Sequence, residues 1–276
     1  MYDYKVILVG CTKNSGSYIY EHLTRLNQMA IFFTKFNIVI YENDSTDNTV
    51  EQLNLFKSNN SNFNFISETN VVEKYIQNKH INLRVQIIAH GRNCLLHIVN
   101  SLYTNYDYML MIDLDTVLNN FDPNNIHKIF SYDVNLWDVL TANCNGPYYD
   151  IWALRITQNI WQNDIHGKIW NNPIIHDCWA QQVMNMSFKD CVKSYQKVIP
   201  MNSSLIKTDS SFGGAGIYRI NKIKDCYYNP FCYNHRNMLS GQCEHVSFHQ
   251  DINKNGGRIF ICPSFIVNCP IEHIQK

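Results

Sequence analysis

The chain has 276 residues, of which 45% are hydrophobic and 13% aromatic, enough apolar surface to bury one sizeable core. Lys and Arg together number 23, as do Asp and Glu, so no net charge attracts nucleic acid or anionic lipid. No stretch reaches the ~18 consecutive apolar residues of a membrane span, and the first residues lack a signal-peptide core. We therefore expect a cytoplasmic protein with reduced cysteines and no nucleic-acid partner, with a viral factory or virion as alternative locations; the oligomeric state stays open.

Short apolar runs alternate with helical patterns in the first half of the chain. The pattern predicts strands at residues 5–10, 37–41, 63–66 and 108–112, with helices at 17–33, from about 46, and at 83–103. The run at 108–112 is almost entirely apolar, which is typical of a parallel strand covered on both faces. This alternation predicts an α/β fold with a mostly parallel, doubly wound sheet, in which ligands bind beyond the carboxyl ends of the strands.

The second half is less regular and rich in Trp, Tyr, Cys and His. Strands are predicted at residues 137–142, 202–207, 214–220 and 258–262, with a short helix at 178–186. No linker or internal repeat separates the halves. One domain, residues 1–276, is therefore expected, with a mixed C-terminal region.

Asp113 and Asp115 end the most apolar strand and are the strongest local signal. Side chains two positions apart leave a strand on the same face, so both carboxylates should meet one pocket. Such a pair repels itself unless a divalent cation lies between its members, and Mg²⁺ or Mn²⁺ prefers hard oxygen ligands shared with phosphates. The alternative is a chance acidic triplet in a surface turn.

Two further groups could contact a nucleotide diphosphate. Glu42 and Asp44 end the second strand, where carboxylates can accept hydrogen bonds from ribose hydroxyls, although a polar turn with a helix cap is the simpler explanation. Arg84 and Arg92 lie about two turns apart on a predicted helix and could clamp phosphates. Solvent exposure or a structural ion pair is the alternative for each arginine.

The segment from Phe212 to Arg219 is glycine-rich, and Gly214 would let backbone approach a bound sugar without steric cost. A strand entered through a glycine turn is the structural alternative.

Cys243 to His249 form the last group of interest. Glu244 is a candidate general base, with Asp177 and Asp150 as competitors for that role. Zinc is a rival interpretation of this region, because several soft ligands fall within a short stretch, although their spacing matches no familiar zinc finger. These ligands are Cys226, Cys232, His235, Cys243, His245 and His249.

The order of these motifs resembles nucleotide-sugar glycosyltransferases of the GT-A fold. The Glu42–Thr49 turn, the Arg84–Asn93 helix and the Tyr148–Arg155 segment are similar to motifs of the fungal capsular α-1,3-mannosyltransferases. The Asp-Leu-Asp triplet matches the general GT-A pattern, whereas the acidic pair of the capsular family is less regular. The sugar donor of that family should therefore not be assigned to this chain.

The resemblance implies residue roles. It implies nucleotide contact at Glu42 and Asp44, donor contact at Arg84, Arg92 and Gly214, and cation and diphosphate binding at Asp113 and Asp115, with His245 completing the cation's ligands. Residues 1–135 would bind the nucleotide-sugar and residues 136–276 the acceptor.

The implied activity is transfer of a hexose from a UDP- or GDP-sugar to a glycan or glycoprotein acceptor, with Mn²⁺ or Mg²⁺. Retention or inversion at the sugar carbon stays open, as do the base, the sugar and the acceptor. Two other functions remain: a sugar nucleotidyltransferase, and a non-catalytic carbohydrate-binding or zinc-organised interaction domain.

Overall fold

The computed structural model describes residues 1–76, 82–156, 192–233 and 239–274. Strands and helices alternate through the first half of the chain and become less regular in the second. The strands are β1 (Tyr2–Thr12), β2 (Phe33–Asn43), β3 (Phe63–Glu68), β4 (Tyr108–Ile112), β5 (Val139–Cys144), β6 (Ile206–Thr208), β7 (Ala215–Arg219), β8 (Phe231–Tyr233), β9 (Leu239–Gly241) and β10 (Ile259–Val267). The helices are α1 (Ile19–Asn27), α2 (Thr49–Asn59), α3 (Val71–Tyr75), α4 (Leu83–Leu102), α5 (Ile126–Ile129) and α6 (Glu244–Lys254).

Eight of the strands form one sheet in the order β3-β2-β1-β4-β7-β5-β10-β6. The first four are parallel, β7 runs antiparallel to both of its neighbours, β5 and β10 are parallel, and β6 is antiparallel at the edge. The fold is therefore mixed α/β with a large, mainly parallel sheet, as the sequence predicted. Strands β8 and β9 form a separate two-stranded ribbon.

Helices cover both faces of the parallel half of the sheet. On one face, α1 and α2 pack against alternate β1 and β2 residues such as Leu8 and Ile40. On the other, α4 packs against the residues between them, such as Val9 and Val39. This alternation follows from the two-residue period of a strand. It explains why these strands are nearly continuous apolar runs.

Successive strands are added first on one side of β1 and then on the other, so the strand order reverses between β1 and β4. From β1 the chain adds β2 and then β3 on one side, and α4 returns it to β4 on the other side. The carboxyl ends of β1 and β4 therefore diverge into a crevice, which is where open parallel sheets bind ligands.

Most element predictions for the described residues are confirmed, including the strand at 108–112 to the residue. Some bounds were wrong. The predicted helix at 17–33 ends at Asn27 and continues as a 3₁₀-helix, Gln28–Phe32, and the strand predicted at 202–207 spans Ile206–Thr208. No helix was predicted at Cys243–His249, where α6 begins. The predicted helix at 178–186 lies outside the described residues. In the part of the chain that the structure describes, no helix has the length and apolarity to cross a membrane.

Candidate functional site

A cleft of about 920 Å³ opens at the carboxyl ends of β1, β2 and β4, at the reversal point of the sheet. Strand β1 contributes Thr12, β2 contributes Asn43, and the loop after β4 contributes Asp113 and Asp115.

Arg92 and Asp113 form the centre of the cleft floor. The Arg92 guanidinium donates a hydrogen bond from Nη2 to Asp113 Oδ1 at 2.9 Å, and its Nη1 is paired with the Glu244 carboxylate. Only 7% of the Arg92 side chain is exposed, and 8% of that of Glu244. One guanidinium therefore links the middle of α4 to the end of β4 and to the first residue of α6.

Aromatic rings surround the Arg92 guanidinium. Its carbon lies 5.0 Å from the centroid of the Phe212 ring and 5.7 Å from that of Tyr228. Cation–π contacts of this kind are stronger when the cation is removed from water. The rings and the two carboxylates hold the guanidinium in place at the cleft lining, and contact of Arg92 with a donor stays a prediction.

Asp115 has a local structural contact as well as a place in the cleft. Its Oδ1 accepts a hydrogen bond from the backbone N–H of Val117 at 3.0 Å and so caps the short 3₁₀-helix Thr116–Leu118. The second carboxylate oxygen is not part of this cap. A carboxylate can serve both as a cap and as a cation ligand, because it offers about four lone-pair positions.

Asp150 adds a further carboxylate to the cleft lining. It accepts a hydrogen bond from the backbone N–H of Gly213 at 2.9 Å. Burial raises its pKa above the usual value for a carboxyl group, and the Gly213 N–H partly offsets that rise. Sequence reasoning named this residue only as a competitor for the role of base.

Negative charge is concentrated around Asp113. The pKa of its carboxyl is raised to about 7. Burial is the largest cause, the charge of Arg92 opposes the rise, and the charges of Asp115, Asp150 and Glu244 add to it. One guanidinium does not balance four carboxyl groups, so the site favours a cation, and a bound cation would reverse the direction of that pKa change. Hard oxygen donors of this kind match Mg²⁺ or Mn²⁺.

Gly214 lies beside Asp113, and the space and backbone conformation at this position require glycine. Its carbonyl accepts a hydrogen bond from the backbone N–H of Asp113 at 2.8 Å, and its φ is +86°. A Cβ at this position would lie 2.5 Å from the Tyr149 hydroxyl oxygen and 2.7 Å from Val117 Cγ1. The close approach here is to the protein's own side chains; contact with a ligand stays a prediction.

His245 lies in the cleft wall, stacked on Phe212 with ring centroids 3.9 Å apart. It is 3% exposed, and neither ring nitrogen has a hydrogen-bond partner among the described residues. Burial and the Arg92 charge hold its pKa well below the usual range, so the ring is neutral and has a lone pair to offer. The predicted set of Asp113, Asp115 and His245 does not, however, bring its ligand atoms within 4.8 Å of one another.

Glu244, a predicted candidate for the general base, is nearly buried at the start of α6 and paired with Arg92, and its catalytic role stays a prediction. One of its oxygens, Oε1, is the partner of the guanidinium. The other predicted catalytic residue, Asp177, lies outside the described residues.

Glu42 and Asp44 do not line the cleft. Glu42 accepts hydrogen bonds from the Ser45 backbone N–H and the Ser67 hydroxyl, and Asp44 accepts from the N–H groups that begin α3. Asn43, between them, faces the cleft together with Tyr41. The two-residue period of β2 was the signal that could have identified them, since Tyr41 and Asn43 share the face opposite to Glu42.

Arg84 lines the cleft as Arg92 does, and its predicted contact with a phosphate stays a prediction. It lies in the first turn of α4, whose start is capped by the Asn82 side chain, and it is exposed at the cleft edge. Among the residues that the structure describes, it makes no ion pair. It can therefore move to meet an anionic ligand.

The predicted zinc region does not form a cluster. Of its residues that the structure describes, no three bring ligand atoms within 4.8 Å of one another. Cys226 contacts backbone carbonyls of residues 222 and 224, and His249 is hydrogen-bonded to Ser210 and Tyr218. His235 lies outside the described residues.

The fold is similar to solved glycosyltransferase structures. The mannosyltransferase PcManGT from Pyrobaculum calidifontis, in complex with GDP-Man and Mn²⁺, superposes with a TM-score of 0.50 at 11% identity, over 98% of this chain and 57% of that one. S. aureus TarS 1-349 gives 0.46 at 16% identity, over 93% and 57%. Glucosyl-3-phosphoglycerate synthase from Mycobacterium tuberculosis, with Mn²⁺, UDP and phosphoglyceric acid, gives 0.44 at 10%, over 98% and 73%.

The likeness to the Pyrobaculum mannosyltransferase shows the fold alone, a mixed α/β fold of the kind that GT-A glycosyltransferases have. The chain spans little more than half the length of the first two structures. Membership of the capsular α-1,3-mannosyltransferase family is not shown. No protein-family model and no curated protein matches the chain.

Proposed function

We propose that this protein is a glycosyltransferase that moves a hexose from a UDP- or GDP-sugar to a glycan or glycoprotein acceptor, assisted by Mn²⁺ or Mg²⁺. One observation carries the proposal: Asp113 and Asp115 meet in a large cleft at the reversal point of a GT-A sheet. In such sheets this crevice is the ligand site. The Pyrobaculum mannosyltransferase was solved with GDP-Man and Mn²⁺, which is the same class of donor and cation.

The oxygen donors in the cleft fit a divalent cation. Asp113 and Asp115 would hold it, and the surplus of carboxylates over guanidinium groups favours positive charge there. A bound divalent cation supplies charge stabilisation to a departing diphosphate. The unpartnered nitrogens of His245 are a candidate further ligand, and reaching the carboxylates would require side chains to shift from their present positions.

The protein's own groups would orient the donor and exclude water. Arg92 fixes the position of Asp113 through its hydrogen bond, so this carboxylate needs little reorganisation when a ligand arrives. Arg84, exposed at the rim, is the candidate phosphate contact. Thr12 and Asn43 lie at the strand ends where a nucleoside could accept and donate hydrogen bonds.

The acceptor would enter the cleft beside residues from the second half of the chain, and Trp152, Gln196 and His273 are among those that line it. In the proposed division, residues 1–135 bind the nucleotide-sugar and residues 136–276 bind the acceptor. Asp150 is the described carboxylate best suited to take a proton from the acceptor hydroxyl, since burial raises its pKa and no guanidinium of the described residues pairs with it.

Nucleotide binding tests the proposal directly. Thermal unfolding of the purified protein should be measured with UDP, GDP, CDP and dTDP, each with Mn²⁺ or with EDTA, because a ligand that binds the native state raises the unfolding temperature. We expect one nucleotide to raise it with Mn²⁺ and not with EDTA. Incubation with the matching nucleotide-sugars should then release free nucleotide and sugar slowly, by transfer to water. A protein that bound glycans but no nucleotide would instead be a carbohydrate-binding module.

A further inference from the structure

A second group of chemically reactive side chains converges outside the cleft. His90 and Cys94 lie one turn apart on the same side of α4, and Glu68 ends β3. Glu68 Oε2 is 2.7 Å from His90 Nε2, and Cys94 Sγ is 3.7 Å from the same nitrogen. Among the described residues, this is the group of three His, Cys, Asp or Glu side chains whose ligand atoms lie within 4.8 Å of one another.

The three donors suit zinc. A thiolate, an imidazole and a carboxylate are the ligands that Zn²⁺ takes, while Mg²⁺ and Ca²⁺ take oxygen alone. Zinc bonds of about 2.0 Å to nitrogen and oxygen and about 2.3 Å to sulfur place tetrahedral ligands roughly 3.3–3.5 Å apart. The Sγ to Nε2 distance is already close to this range. The Glu68 to His90 distance must open by about 0.6 Å, as expected when a metal replaces the shared proton.

The surrounding groups can orient these ligands. His90 Nδ1 lies 3.1 Å from the Tyr75 hydroxyl, and the Tyr41 hydroxyl donates to Glu68 Oε2 at 2.8 Å. Hydrogen bonds from neighbouring groups to the metal ligands fix the ring tautomer and the carboxylate orientation in zinc sites. On metal binding, the imidazole proton moves to Nδ1 and is donated to Tyr75, whose hydroxyl can rotate to accept it.

We propose that Glu68, His90 and Cys94 form a zinc site, with a fourth position left for water or a small ligand. Binding releases the thiol proton of Cys94 to solvent, and no electron transfer is involved. The site joins the end of β3 to α4, the helix that carries Arg92, and none of its three residues lines the cleft. It would link these two elements, and it does not depend on the function proposed above.

Cobalt titration tests this site because a thiolate ligand has its own spectral signature. Protein freed of metal with EDTA and buffer-exchanged should be titrated anaerobically with Co²⁺. We expect a thiolate-to-cobalt charge-transfer band in the near ultraviolet at one equivalent, lost on adding Zn²⁺. Cobalt held by Asp113 and Asp115 has oxygen ligands and gives no such band, so the two sites are distinguished.

Two matched cysteine variants identify the residue that gives rise to the charge-transfer band. Cys94→Ser should abolish it, whereas Cys232→Ser should leave it intact, since Cys232 is partly exposed like Cys94 but belongs to the other Cys- and His-rich region. A band that survives Cys94→Ser, or no band in the wild-type protein, overturns the proposal. Circular dichroism of the metal-free variants checks that both fold.

A second test changes Lys74, which is exposed and lies outside the core. Its ammonium group is paired with the Glu68 carboxylate, so it competes with a cation. Lys74→Gln should raise Co²⁺ affinity about fivefold, because one nearby positive charge is removed. An unchanged or lower affinity would mean that Glu68 is not a ligand, and the three-residue site would be rejected.

Discussion

The Arg92 guanidinium lies 2.9 Å from Asp113, and its other nitrogen is paired with Glu244. The first acidic residue after β4 is thus fixed by an ion pair that crosses the sheet face to α6. Because the guanidinium is 93% buried, its charge has little water to stabilise it and depends on these two carboxylates. This arrangement makes Arg92 a support for the cleft floor, and it sets the first prediction.

Arg92→Met should destabilise the protein by about 3–5 kcal/mol, because it leaves the Glu244 carboxylate buried without a partner. Adding Glu244→Gln should recover much of that loss, since the second change removes the unpaired charge. Urea unfolding of the wild type, both single variants and the double variant measures the interaction between the two sites. If the stability losses of the two single variants simply add in the double variant, the two side chains are not coupled.

An exposed ion pair provides the control for this experiment. Glu21 and Arg25 are paired across one turn of α1, with 72% of the Glu21 side chain exposed. Exposed pairs contribute little because water already stabilises each charge. Glu21→Gln should therefore leave the urea midpoint unchanged within error.

Gly214→Ala should destabilise the protein more than Gly256→Ala does. Both residues have positive φ, +86° and +69°, so both substitutions carry the strain of a left-handed conformation, about 1–2 kcal/mol. Only at Gly214 does the new Cβ collide, with Tyr149 and Val117, whereas at Gly256 the nearest atom is 3.9 Å away. Overpacking should add roughly 1–3 kcal/mol, measured by urea unfolding. Equal losses would show that Tyr149 and Val117 move aside freely.

The sequence predicted the parallel half of the sheet well because its strands are buried on both faces. The run at 108–112 is typical of a strand covered on both faces, and the topology places the acidic pair that follows it in the crevice. The face of β2 could also have been read from its two-residue period, which places Asn43, and not Glu42, toward the cleft.

The partners of charged residues could not be predicted from sequence. Arg92 and Glu244 are 152 positions apart, and their pairing depends on α6 packing beside α4. The helical start at Glu244 was missed because Cys243 offers no side-chain cap. Glu68 and His90 likewise meet only through the β3–α3–α4 connection. Local patterns identify elements, whereas such contacts are set by tertiary packing.

Asp115→Asn should abolish the Mn²⁺-dependent rise in unfolding temperature with nucleotide, and reduce transfer a hundredfold or more, since a cation supplies several kcal/mol of charge stabilisation. The amide oxygen can still cap the 3₁₀-helix, so the fold should be retained. Asp133→Asn is the matched control, because Asp133 caps another 3₁₀-helix in the same way at 2.9 Å, away from the cleft. A wild-type response in Asp115→Asn would argue against this residue as a cation ligand.

His249 should make the protein sensitive to acid. It is fully buried between Ser210 and Tyr218, and burial lowers its pKa from 6.5 to about 3. Below pH 6.5 the unfolded chain takes up a proton at this residue and the folded chain does not, so the free energy of unfolding falls as the pH decreases toward 3. The contribution is at most about 1.4 kcal/mol per pH unit.

The variant His249→Gln isolates this contribution, because glutamine can keep hydrogen bonds to both neighbours and does not titrate. Urea unfolding should be measured for both proteins at intervals from neutral pH down to the onset of acid unfolding. We expect the variant to be the less stable protein at neutral pH and the gap to narrow as the pH falls, since only the wild type loses stability through this residue. A constant gap across the range would show that His249 takes up its proton equally in the folded and unfolded chains.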